Sequence, residues 1–369
     1  MQTFDNIGPE KVLEVYNPKV GMHGVVVIDN TALGPGKGGI RMTASVNNEE
    51  VFRLARTMTW KNSLAELPFG GAKSGIFADG KNIPLKQKEL IVKAFAKSLK
   101  CISPREYVAA PDMNTGEREM KWFAQAAGSL KACTGKPKSM HGIPHELGST
   151  GFGVHLAALE ALKFKGIPVE GASFAVEGFG NVGSFAAKFL AEKGARLVAA
   201  SDSKGCIIKP EGIDLKRLQE VKRKFGSVTT YGQKCCVMSC EGLVSVEADV
   251  LITAAVPNFI NEDNYHFVKA PIIVEGSNIP MTPKVEERLH EKHVLVVPDF
   301  VANAGGVISS FIEYRGGNEK QVFRMVEEKV SKNTKLVLEL AGKQGIFPRG
   351  AAQEIAVKRV EKAMKKRKG

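Results

Sequence analysis

Three glycines in one short run, Gly178, Gly180 and Gly183, constrain this chain more than any other feature. They sit in SFAVEGFGNVGSFAAKFLAEKGARLVAASDSKG, from Ser173 to Gly205. An apolar β-type run leads into the first glycine, and an apolar helical pattern leads out of the third. A second apolar run then ends at Asp202. The order is strand, tight turn, helix, strand, the crossover that parallel strands require. Gly178 permits the turn, Gly180 lets a pyrophosphate approach the backbone, and Gly183 lets helix and strand pack closely. Phe179, Asn181 and Val182 fill the remaining positions of the turn. The helix N-terminus offers amides and a positive dipole to phosphate. Asp202 follows at about 20 residues, where a carboxylate takes ribose hydroxyls. The natural ligand is a nicotinamide dinucleotide. Asp202 favours NAD, whereas Ser203 and Lys204 are placed to hold the extra phosphate of NADP, and the sequence leaves both open.

The flanking sequence has the same grammar. DVLITAAV, PIIVEGS and VLVVPDF are further short buried strands, separated by helical or looser connections, as in a parallel doubly wound sheet. The first half reads differently. GVVVIDN and REYVAAPD are strands, and NNEEVFRLARTMTWKNSLAEL is a helix capped by Asn47 or Asn48, with Glu49 and Glu50 in its first turn. Two long helices close the chain from about Glu319. At 369 residues the chain is long for one domain and natural for two, with the change near Gly148 to Gly153. The fold class is α/β.

Charge and cysteine content exclude several classes. The net charge is +13, but the excess lies in separate helical stretches and no nucleic-acid motif accompanies it. Anionic small molecules explain it better than nucleic acid. No apolar run reaches the roughly 18 residues of a membrane span, and the N-terminus lacks the pattern of a secretory signal. The expectation is a cytoplasmic protein with no membrane or nucleic-acid partner. Six cysteines without a signal read as reduced thiols. KCCVMSC lacks the second pair or histidine that a structural zinc needs, so no metal is expected.

The chemistry points to the first half. Lys73 stands alone among small residues in ELPFGGAKSGIFADG. A lysine deprived of water has a lowered pKa and is a catalytic candidate; the competing reading is a solvated surface turn. Lys37 in LGPGKGGIRM and Lys61 in MTWKN add two cations, which suits an anionic substrate. Asp112, in YVAAPDMNTGE, ends a strand as a candidate acid or base, or else as the N-cap of the next helix.

These pieces, with GSTGFGV, GFGNVG, SDSKG, EGSN and PDFVANAGGVISSF, resemble the glutamate/leucine/phenylalanine/valine dehydrogenase family over nearly the whole chain. The resemblance implies two domains separated by a cleft. Residues 1–148, completed by helices from about 335 to 369, would form a substrate and oligomerisation domain, and 149–334 a Rossmann-type dinucleotide domain. It implies an NAD- or NADP-dependent oxidoreductase and a homo-oligomer, a hexamer above all. Lys73 would polarise the substrate carbonyl and activate water, and Asp112 would shuttle protons. Lys61 would grip the α-carboxylate near Met58, which stands where many bacterial glutamate enzymes have glutamine. The Pro111 carbonyl would receive the amino group. Thr150, Asn181, Ala254, Ala255, Asn278 and Asn303 would contact the dinucleotide.

Substrate choice in that family turns on a lysine and a serine that hold the γ-carboxylate, both apolar in leucine-type members. Here the positions carry Lys37 and Ser310, the glutamate pattern. The implied reaction is reversible deamination of L-glutamate to 2-oxoglutarate and ammonium. A branched-chain or broad amino-acid dehydrogenase is the second reading, and a non-catalytic nicotinamide- or nucleic-acid-binding protein the third.

Overall fold

The computed structural model describes residues 4–144, 147–232 and 235–368. The chain divides into two units. One holds Met1–Leu147, Val307–Val322 and Ile355–Gly369, the other Gly148–Gly306 and Phe323–Glu354.

The first unit begins with β1 (Lys11–Asn17), β2 (Met22–Asn30), β3 (Gly36–Thr43), α1 (Asn48–Leu64) and β4 (Gly70–Phe77), then α2 (Leu85–Ser98), β5 (Tyr107–Pro111) and α3 (Glu117–Ala127). Its sheet has the order β1-β2-β4-β3-β5. β3 runs parallel to β4 and β5, while β1 and β2 form an antiparallel edge. The central run of β2, Val25–Ile28, is apolar because both its faces are covered. Val26 and Ile28 pack in one core with Phe95 of α2 and Phe123 of α3. Val25 and Val27 pack in another with Val51, Phe52 and Ala55 of α1. α1 starts where its local signals place it: Asn47 Oδ1 accepts from Glu50 N at 2.9 Å, with Glu49 and Glu50 in the first turn.

The small-residue stretch around Lys73 is neither loop nor surface turn but β4, the middle strand. Its glycines answer to close packing: a Cβ on Gly71 would lie 2.2 Å from the backbone nitrogen of Thr59. Glycine therefore lets α1 rest directly on β4. Strand alternation puts Gly71, Lys73 and Gly75 on the α1 side. The register pairs Lys37 with Gly71 and Arg41 with Gly75, so Lys37, Gly39 and Arg41 share that face.

The second unit runs through α4 (Ser149–Phe164), β6 (Ser173–Glu177), α5 (Asn181–Ala191), β7 (Arg196–Asp202), β8 (Gly205–Ile208), α6 (Leu215–Phe225), β9 (Cys236–Met238) and β10 (Val250–Thr253). It continues with β11 (Ile272–Glu275), α7 (Pro283–Glu291), β12 (Leu295–Val297) and α8 (Asp299–Ala302). Three last helices, α9 (Gly305–Tyr314), α10 (Glu319–Gln344) and α11 (Pro348–Lys368), are divided between the units. The sheet order is β12-β11-β10-β6-β7-β8-β9. β6, β7, β10, β11 and β12 are parallel, and β8 and β9 extend the edge in antiparallel fashion. Strand order reverses between β6 and β10, and ligands of doubly wound sheets bind outside the carboxyl ends of strands at such a switch point. The three-glycine turn lies there. Among the described residues no helix is long and apolar enough to cross a membrane.

Candidate functional site

On the first unit Lys73, midway along β4, and Asp112, just past the end of β5, come together. Lys73 Nζ lies 3.0 Å from Asp112 Oδ2, and Arg41 Nε donates to the same oxygen at 2.8 Å. Arg41 also pairs with Glu50 at the start of α1. Beneath them Gly39 keeps the floor open, since a Cβ there would lie 2.8 Å from Asp112 Cβ and 3.4 Å from Lys73 Nζ. Asp112 is not the cap of α3, whose N-cap is Gly116. It is held instead by a turn stitched to β3. Thr115 Oγ1 accepts from Asp112 N at 2.9 Å and donates to Ile40 O at 2.7 Å.

The charges shift accordingly. Lys73 is 6% exposed, and burial pulls its ammonium below the usual lysine range despite the opposing pull of Asp112. Burial also works to raise the Asp112 carboxyl, but Lys73 and Arg41 together outweigh it and hold the group below the ordinary carboxylate range. The pair is therefore a carboxylate beside a lysine that gives up its proton more readily than an ordinary lysine, as acid–base chemistry needs.

Lys37 is more deeply buried, at 1% exposure, and burial brings it down to about 7. Its Nζ donates to Ala109 O at 2.7 Å. Among the described residues no carboxylate lies within ion-pair distance of it, whereas neighbouring cations are matched: Lys73 and Arg41 by Asp112 and Glu50, Lys136 by Glu313. Glu313 of α9 also accepts from Gly135 N at 3.0 Å and Ile143 N at 3.1 Å, fixing the chain after β5. No hydrogen bond or ion pair joins Lys37 to Ser310, which is half-buried on α9. Lys61 and Met58 are half-buried at successive turns of α1, and Pro111 is exposed at the end of β5.

On the second unit two of the three glycines are required by the protein itself. A Cβ on Gly178 would lie 2.4 Å from Ala255 Cβ, and one on Gly183 would lie 2.1 Å from Gly178 O. Gly180 is different: a Cβ there would meet no protein atom within 4 Å. Phe179 is buried, and its amide donates to Ser201 O at 2.6 Å. Val182 and Thr150 are half-buried, Ala255 and Asn278 exposed. Glu177, which ends β6, accepts from the amides of Ala254, Ala255 and Val256 and shapes the loop opposite the glycines.

A dinucleotide fits this lining by its polar accounts. Asn181 Oδ1, Asn303 Oδ1 and Ser277 Oγ are buried with no protein partner, and orphaned buried polar atoms are rare in native proteins. Asp202 is held by the protein around it. Oδ1 accepts from Lys204 N at 3.0 Å and Ser227 Oγ at 3.1 Å, Oδ2 from Lys222 Nζ at 2.8 Å and Val228 N at 2.7 Å. A carboxylate has about four lone-pair positions, and here protein donors take them all. Ser203 and Lys204 are exposed beside it. In the KCCVMSC stretch, Cys240 Sγ donates to Asp202 O at 2.8 Å.

Residues 142–368 match the family described as Glutamate/Leucine/Phenylalanine/Valine dehydrogenase, and residues 9–128 match its dimerisation domain. The chain belongs to this family. Family membership makes it an NAD(P)-dependent amino-acid dehydrogenase. A glutamate dehydrogenase of Aeropyrum pernix is 41% identical over 92% of this chain and 85% of its own length. An NADP-specific glutamate dehydrogenase of Saccharolobus shibatae is 39% identical over 92% and 83%. The crystal structure of a hetero-hexameric glutamate dehydrogenase from Thermus thermophilus, in its leucine-bound form, superposes with a TM-score of 0.86 at 28% identity, covering 97% of this chain and 90% of that one.

Arg41, Thr115, Lys136, Glu313 and Glu177 carry no sequence signal of their own for the site, and Glu50 reads from sequence only as a first-turn helix residue. Arg41 was the most accessible of them. Once GKGGIRM is taken as a strand, period-two alternation puts it on the face of Lys37.

Proposed function

We propose that this chain catalyses the reversible NAD(P)-dependent oxidative deamination of L-glutamate to 2-oxoglutarate and ammonium. The observation that carries the choice of glutamate is Lys37, a buried lysine whose Nζ donates to a carbonyl and has no carboxylate within ion-pair distance among the described residues. An unpaired buried charge is costly, and the side-chain carboxylate of glutamate would supply the missing anion, with Ser310 as its second contact. Leucine would leave the cation unpaired.

The catalytic reading follows from the paired groups. Lys61 holds the α-carboxylate beside Met58, and the Pro111 carbonyl receives the amino group. The bound dinucleotide supplies a hydride acceptor for the α-carbon. Lys73, short of water and with its pKa lowered by burial, polarises the substrate carbonyl and activates the attacking water. Asp112 carries protons to and from the departing amine, and Arg41 keeps it ionised and aimed. The first unit is the substrate and oligomerisation domain and the second the dinucleotide domain, within a cytoplasmic homo-oligomer, a hexamer by family analogy.

The deciding assay follows nicotinamide absorbance with ammonium present and 2-oxoglutarate, 4-methyl-2-oxopentanoate or no oxoacid, each with NADH and with NADPH. The expected result is turnover with 2-oxoglutarate at a kcat/KM at least tenfold above the branched oxoacid. Preference for the branched oxoacid would give the chain to the leucine-type reading.

For the dinucleotide, we propose that Gly180 leaves room for the pyrophosphate, while Thr150, Asn181, Ala254, Ala255, Asn278 and Asn303 line the rest. Asp202, saturated by protein donors, organises the sheet edge, and Ser203 and Lys204 meet the ribose or its phosphate. Asp202→Ala should then weaken NADH and NADPH alike, with a lowered Tm, because Lys222 loses its partner. A selective loss of NADH with unchanged Tm would return the carboxylate to the ribose.

A further inference from the structure

Arg349, the second residue of α11, lies far in sequence from every motif and touches none of the proposed contacts directly. Its guanidinium is nonetheless the hub of a buried cluster. Nη2 donates to Glu275 Oε2 at 2.8 Å and Asp299 Oδ1 at 3.0 Å, and Nε donates to Glu286 Oε1 at 2.6 Å. Glu275 ends β11, Asp299 begins α8, and Glu286 belongs to α7, so one side chain ties three elements.

What those elements carry gives the cluster its meaning. Asp299 Oδ2 accepts from Ile279 N at 3.0 Å, and Asp299 N donates to Glu275 Oε2 at 2.8 Å. Ile279 has a φ of 51°, a left-handed conformation that a β-branched residue adopts only when its surroundings impose it. It directly follows Asn278. At the other end of α8, Asn303 N donates to Asp299 O at 2.8 Å. Its Nδ2 donates to Gly276 O at 3.3 Å and Asn278 Oδ1 at 3.2 Å. The strained turn and the short helix that present Asn278 and Asn303 are therefore anchored on the same guanidinium.

We propose that Arg349 is a positioning residue for dinucleotide binding, holding the Glu275–Ile279 turn and α8 so that Asn278 and Asn303 stand ready for the ligand. This rests on the dinucleotide reading of those two asparagines given above. Burial and then the neighbouring Glu286 push Glu275 well above the usual carboxylate range. The cluster thus needs one rigid, forked cation rather than a point charge, and lysine cannot span three acceptors in this way.

The test uses the full-length protein and Arg349→Lys. NADH and NADPH affinities are read by nicotinamide fluorescence, the KM for 2-oxoglutarate by assay, and folding by Tm. The expected result is a dinucleotide Kd raised at least tenfold, with the 2-oxoglutarate KM within twofold of wild type. Should Arg349→Lys not fold, Arg349→Met with Glu286→Leu removes the cation together with one carboxylate, and the same constants are read. A dinucleotide Kd within twofold of wild type overturns the inference and leaves the proposed function intact. Parallel losses in Kd and in 2-oxoglutarate KM mean general disorder and overturn it as well. A wild-type protein that binds neither NADH nor NADPH defeats the proposed function and this inference with it.

Discussion

Lys73→Ala should remove turnover in both directions while NADH or NADPH binding stays within twofold of wild type. Lys73 is buried on the middle strand of its sheet and lies 3.0 Å from the Asp112 carboxylate, with burial making its proton easy to lose. General acid–base groups contribute about 10²–10⁴-fold in rate. A variant that retains more than about a hundredth of the wild-type kcat would deprive Lys73 of that role. Lys73→Arg separates charge from proton transfer. It keeps a cation beside Asp112, but a guanidinium does not deprotonate in proteins, so it too should be inactive. Activity in Lys73→Arg would make Lys73 an electrostatic partner of Asp112 and nothing more. The fold should tolerate both changes, because Asp112 keeps its bond to Arg41. A Tm close to wild type is the control.

Lys37 should control substrate choice. Breaking a buried pair by removing one partner costs about 3–5 kcal/mol. At 1.4 kcal/mol per factor of ten, Lys37→Leu with Ser310→Val should lower kcat/KM for glutamate by roughly two to three and a half orders of magnitude. The same variant should raise activity on leucine or norvaline relative to glutamate, because the buried cation is gone. A glutamate-to-leucine ratio that does not move would place Lys37 outside the substrate site.

Lys37 also has a pH signature. Burial brings its pKa down to about 7 in the ligand-free protein. Below that pH the ammonium is in place for a carboxylate. Above it, binding must first draw in a proton, at 1.36 kcal/mol per pH unit. The inhibition constant of 2-oxoglutarate in the deamination direction should therefore rise up to about tenfold per unit above pH 7. In Lys37→Met that slope should vanish. A slope unchanged in the variant would assign the titration to another group.

The sequence by itself determined what depends on neighbours along the chain. The cap of α1 is Asn47 reaching Glu50, three residues away, and the glycine turn is complete within Gly178 to Gly183. The strand runs of the second unit also carry their own apolar signal. Lys73 and Asp112 were legible as candidates through motifs, but their surroundings were not. Small residues around Lys73 suggested a turn, yet they form a central strand, because what glycine permits there is the approach of α1, and α1 is not visible from β4. Arg41 meets Asp112 across 71 residues, Glu313 meets Lys136 across 177, and Arg349 meets Glu275 across 74. Asp202 shows the other side of the same limit: its spacing marked it for a ribose, and the fold gave its oxygens to Lys222, Ser227 and two backbone amides. A carboxylate, guanidinium or ammonium states its charge in the sequence. Only strand register and helix placement decide which opposite charge it meets and how much water it keeps, and these set whether the group is an anchor, an acid or a site for substrate.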